Sequence, residues 1–155
     1  MTHQAYQAHL PYQPREVSMS SYGPSITLDE AKQAAAAALG EARAHSWAMA
    51  VAVVDTAGSL VYFEKMDDTQ SGSVVIAQAK ARSAALFKRP TKAFQDTLAA
   101  GGDGLRVLGL EGAVPVEGGV PLLVAGRIAG AIGVSGGTSA EDGVCAASAV
   151  NALKS

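Results

Sequence analysis

The stretch Gly130-Ala131-Ile132-Gly133-Val134-Ser135-Gly136-Gly137-Thr138-Ser139-Ala140-Glu141 constrains this chain more than any other. Ile128 to Val134 is a run of small and apolar residues, which predicts a strand covered on both faces. Gly136 and Gly137 permit a sharp reversal of the backbone. Thr138 and Glu141 stand at capping-box spacing before an alanine-rich segment, so a helix starts there. Backbone N–H groups from Ser135 to Thr138 then gather at a helix N-terminus, where a carboxylate, phosphate or propionate could sit. The plain alternative is a tight strand-to-helix turn that binds nothing.

At 155 residues the chain fits a single domain with a real core. Apolar residues make up 48% and aromatic residues only 5%, so the core is built mainly from Ala, Val, Leu and Ile. Charged residues reach only 17%, which leaves little polar surface and points to a homo-oligomer. The net charge of −2, without a basic cluster, argues against nucleic-acid binding. Apolar runs are broken by Gly or charge well short of the ~20 residues of a membrane span. Met1 to Tyr22 lacks the basic and apolar regions of a secretory signal, so the expected location is cytoplasmic. The single cysteine, Cys145, excludes an internal disulfide and a cysteine-built zinc site.

Residues 1–24, with Pro11, Pro14, Gly23 and Pro24, read as an extended arm carrying His3, His9, Tyr6, Tyr12 and Tyr22. The domain, 25–155, opens with a second capping box at Thr27-Leu28-Asp29-Glu30 and a helix to about His45. Trp47–Val54 and Ser59–Met66 read as a hairpin around Asp55-Thr56-Ala57-Gly58. Helices are predicted over Ser73–Phe87, stopped by Pro90, and over Thr91–Ala99. Val114–Glu117 and Pro121–Val124 suggest a second hairpin before the last strand, and Ser139–Leu153 the last helix. Five strands joined largely by short turns favour an antiparallel sheet in an α/β (α+β) fold. No G-x-G-x-x-G follows the first strand, so a dinucleotide fold is not supported.

The order and spacing of several segments resemble the GlcG/HbpS family of haem-binding or haem-degrading-type proteins, which includes the C-terminal domain of PduO-type adenosyltransferases. They are Ile26 to Ala31, Ala52 to Leu60, Lys65-Met66-Asp67 and Ala77 to Ala84, then Arg89-Pro90-Thr91, Gly118 to Pro121 and Gly130 to Thr138. The resemblance implies a profilin-like three-layer α/β/α sandwich with a five-stranded antiparallel sheet. It further implies a homo-oligomer, an octamer among the options, and haem as ligand. One departure stands out: the family hairpin often carries Gly-His after the Asp, where this chain has Ala57-Gly58-Ser59.

Lys80 sits on an apolar stripe of its helix. It either reaches for water or holds a carboxylate in a pocket with Gly118, Gly119, Ser135, Gly136, Gly137 and Thr138. A desolvated Lys can also act as base or nucleophile. Arg82 and Arg89 are further partners for carboxylates or propionates. Glu117 reads as a general base or as a solvated turn residue. Haem needs an axial donor, an apolar slot and cations for its propionates. His45 is the axial candidate within the domain, beside a helix-capping role; Met49, Met66, Tyr62 and Cys145 stand behind it. Three functions follow: an oligomeric cytoplasmic haem-binding protein; an enzyme performing proton transfer or lyase chemistry on a small carboxylate with Lys80 and Glu117; or an accessory subunit without ligand.

Overall fold

A computed structural model describes residues 20–154. Thr27 and Glu30 exchange the two bonds of a capping box and start α1, Leu28–Ala44. A hairpin follows, β1 Ala50–Asp55 and β2 Leu60–Lys65. Its turn is fixed by Asp55, whose Oδ1 accepts the N–H of Ala57 and of Ser59, each at 2.9 Å. Then come α2 Ser73–Phe87, α3 Thr91–Ala99 and a 3₁₀ helix Gly102–Gly109. The chain ends with β3 Gly119–Val124, β4 Arg127–Ser135 and α4 Ser139–Ala152. Ala125 and Gly126 both have positive φ, 52° and 75°, as a two-residue hairpin turn between twisted strands requires.

The sheet has four antiparallel strands in the order β2-β1-β4-β3, not five. The expected strand Val114–Glu117 does not form. Pro115 has no N–H to give a ladder, and its neighbours give theirs to side chains instead. Val114 N–H donates to Ser83 Oγ at 3.1 Å and Glu117 N–H to Gln95 Oε1 at 2.8 Å.

Alternation along β1 and β4 splits the core into two layers. Val51, Val53, Ile132 and Val134 face α1 and α4; Ala50, Ala52, Val54 and Ala131 face α2. The sandwich is therefore α/β/α. The α2 layer is thin because the helix lies almost on the strands. A Cβ on Gly133 would collide with the Ala77 carbonyl oxygen, and one on Gly119 with that of Lys80. The small side chains of Ala77, Ala81 and Ala84 on this face of α2 allow such an approach.

Part of the segment read as an arm is docked on the domain. Ile128 N–H donates to Ser21 O and Gly23 N–H to Ile128 O, each at 2.9 Å, forming a parallel bridge at Tyr22 where β1 has ended. Tyr22 OH donates to Ala85 O at 2.5 Å, which satisfies an orphan carbonyl at the end of α2. His3, His9, Tyr6 and Tyr12 lie outside the described residues.

Candidate functional site

The elements expected to form a site do converge. The middle of α2, the end of β4, the start of α4 and the Gly118-Gly119 turn meet around Lys80. The Lys80 side chain does not look outward. Its Nζ donates to Asp142 Oδ2 at 2.8 Å and to Val134 O at 3.0 Å, and the side chain is 1% exposed. Gly118 has φ 131°, and a Cβ there would lie 2.8 Å from Nζ, so the turn closes over the ammonium. Burial pushes the Asp142 carboxyl above its ordinary value; Lys80 and the Gly137 N–H pull it back only in part.

Asp142 and Glu141 also take N–H donors from the turn that starts α4. Gly137 N–H donates to Asp142 Oδ1 at 3.0 Å, and Thr138 N–H to Glu141 Oε1 at 3.0 Å. Thr138 Oγ1 accepts from Glu141 N–H, and the Ser135 and Ser73 hydroxyls pair at 3.1 Å. The expected anion cradle is thus filled by the chain's own carboxylates. That is the physical departure from the pocket read in the sequence: its cation and two of its N–H donors already have anionic partners. Sequence reasoning missed Asp142, although Asp142, Cys145, Ala146 and Ala149 share one helical face and mark it as buried.

Glu117 packs on α4, where Gly143 leaves it room; a Cβ on Gly143 would meet the Glu117 carboxylate. Among the described residues its side chain has no ion-pair partner. Gly119 N–H donates to Thr91 Oγ1 at 2.9 Å, anchoring the turn to α3. Arg82 is exposed on the outer side of α2, its stem against Gly58. Arg89 folds back, with Nε donating to Phe87 O at 3.0 Å and the guanidinium 5.2 Å from the Phe94 ring centre.

The candidate axial donors are engaged. His45 is at the surface, its ring stacked on Trp47 at 4.2 Å and its Nε2 3.0 Å from Glu41 Oε1. Met49 is buried, and Met66 Sδ accepts the Met49 N–H at 3.4 Å. Tyr62 OH donates to Glu64, and Tyr22 OH to Ala85 O. Cys145 is buried, and burial pushes its thiol up to about 11, a poor thiolate source. Cations and exposed apolar residues for haem are present, and the candidate donors are buried or hydrogen-bonded within the chain. No group of three or more His, Cys, Asp or Glu able to hold a metal ion occurs among the described residues.

The family model described as haem degrading protein HbpS-like matches residues 26–151. The chain belongs to this HbpS-like family. The relative GlcG of Escherichia coli K12 is 39% identical over 95 residues, covering 61% of this chain and 69% of GlcG. A double mutant of HbpS from Streptomyces reticuli superposes with a TM-score of 0.78 at 26% identity, over 96% of this chain and 99% of that one. PduOC, solved as a haem complex, gives 0.75 at 26% identity, over 84% and 96%. The HbpS-like match spans all four helices and all four strands, nearly to the end of α4. No described helix is long and apolar enough to cross a membrane.

Proposed function

We propose that this chain is a cytoplasmic, homo-oligomeric haem-binding protein. The observation that carries the reading is membership of the HbpS-like family together with the likeness to PduOC, whose structure holds haem. The chain's own surface supports a particular seat. The outer face of α2 exposes Val75, Ile76 and Leu86 with Arg82 among them, and Arg89 follows the helix end. Apolar surface beside two guanidinium groups suits a macrocycle with two propionates. The same exposed apolar residues supply contact area for a second copy. Because α1 lies on the opposite face of the sheet from α2, His45 can supply the axial donor only from a second copy; otherwise it comes from His3 or His9.

The small-carboxylate enzyme is the weaker reading. Lys80 and the Gly137 and Thr138 N–H groups would first have to leave Asp142 and Glu141.

A haemin titration followed in the visible spectrum tests the proposal, with albumin as the nonspecific control. A saturable Soret shift, weakened at least about tenfold in Arg82→Ala/Arg89→Ala, supports it. A shift no stronger than albumin's overturns it. His45→Ala in parallel separates the two sources of axial ligand.

A further inference from the structure

A cleft of about 360 Å³ opens where the last turn of α1 meets the end of β2. It is lined by Arg43, Glu64, Lys65, Met66 and Asp67. Arg43 and two carboxylates, Glu64 and Asp67, therefore share this opening, whereas the Lys65 side chain, level with Ala50, lies on the α2 face of the sheet. Among the described residues Arg43, Glu64 and Asp67 form no ion pair within 4.0 Å. Two members of the lining, Glu64 and Met66, have side chains held by bonds of their own. Tyr62 OH donates to the Glu64 carboxylate and fixes it. Met66, the apolar member, is clamped at the end of β1, its N–H on Met49 O at 2.9 Å and its Sδ on Met49 N–H at 3.4 Å. Arg43 belongs to a helix end closed by Ser46 N–H on Arg43 O and Trp47 N–H on Ala42 O.

We infer that this cleft binds a small zwitterion of the α-amino-acid class. Its carboxylate goes to Arg43, and its ammonium to Glu64 and Asp67. Arg offers a forked pair of donors to a carboxylate, and an ammonium has three donors to share between two carboxylates. A simple anion would leave the two carboxylates unmatched and a simple cation would leave Arg43 unmatched, so the ligand carrying both signs is the one selected.

Isothermal titration at low salt with L-alanine, propionate and ethylammonium tests this. Propionate lacks only the ammonium group, and ethylammonium only the carboxylate. The expected result is saturable binding of L-alanine, at least about tenfold tighter than either half-ligand. Arg43→Gln and Glu64→Gln should each weaken it by about tenfold or more, with circular dichroism spectra unchanged. Absence of saturable L-alanine heat, equal binding of propionate, or full affinity in Arg43→Gln would overturn the inference. Haemin binding at α2 is a separate readout, so the two proposals fail independently.

Discussion

Lys80 Nζ and Asp142 Oδ2 stand 2.8 Å apart between α2 and α4, with both side chains at or below 4% exposure. A pair buried this deeply is a structural commitment, because either charge alone would be stranded. Lys80→Met and Asp142→Ala are each expected to cost about 3–5 kcal/mol in urea unfolding. The double variant Lys80→Met/Asp142→Leu should recover most of that loss, since apolar groups of similar volume need no counter-charge. The Lys80→Met cost should also depend on pH. Burial already holds the Asp142 carboxyl above its ordinary value, and loss of Lys80 removes a downward pull. A raised native value makes the protonated form the stabilising one. The mutant therefore regains stability as pH falls toward the unfolded-chain value of 3.8 and loses it as pH rises.

The closeness of α2 to the sheet leaves no room at Gly133, whereas Gly40 on α1 has space, so the two glycines respond in opposite directions. At Gly133 a methyl group would strike backbone atoms of Ala77 and Ala81, which cannot yield without moving the helix. Gly133→Ala should lose at least about 1–3 kcal/mol. Gly40 lies on the exposed side of α1, and nothing stands within 4 Å of the place a Cβ would take there. Gly40→Ala should gain about 0.5–1 kcal/mol, because alanine loses less backbone freedom in a helix. Thermal unfolding of both variants checks the pair.

Helices were the legible part of this fold. Both capping boxes, at Thr27 and Thr138, form as their spacing predicts. Pro90 ends α2 on schedule, with Lys88 in the left-handed conformation. The Val114–Glu117 strand misled because alternation says nothing about long-range partners; Ser83 and Gln95 take its N–H groups from 31 and 22 residues away. The pairing of Lys80 with Asp142 was not legible for a similar reason. Thr138 and Glu141 announce a helix start, but only the folded chain brings Lys80 against Asp142, 62 residues apart. The cleft at Arg43 and Lys65 has no local motif, being assembled from a helix end and a strand end.

Tyr22 ties the start of the described chain to the far end of α2. Its hydroxyl donates to Ala85 O at 2.5 Å, its ring lies 4.6 Å below the Lys88 ammonium, and Arg127 donates to its carbonyl at 2.7 Å. Tyr22→Phe keeps the ring and removes the cap. The expected loss is about 1 kcal/mol, with faster amide hydrogen exchange confined to the last turn of α2. Uniform acceleration across the sheet would contradict a local capping role.

The Tyr62 hydroxyl donates to Glu64, and that bond, followed by a small effect of burial and the nearby negative charge, raises the phenol above its ordinary value of 10.0. The native protein thus keeps this proton after the unfolded chain has released it. The stabilisation from the bond is complete below pH 10.0 and is lost as pH rises through the native value. Ultraviolet difference spectra between the protein and Tyr62→Phe isolate this phenol from Tyr6, Tyr12 and Tyr22. Its titration midpoint should lie above 10.0 and fall toward it in Glu64→Gln, because the amide carries no charge to oppose the phenolate. An unchanged midpoint in Glu64→Gln would mean that the carboxylate does not hold the phenol, and that Glu64 sits in its cleft without this support.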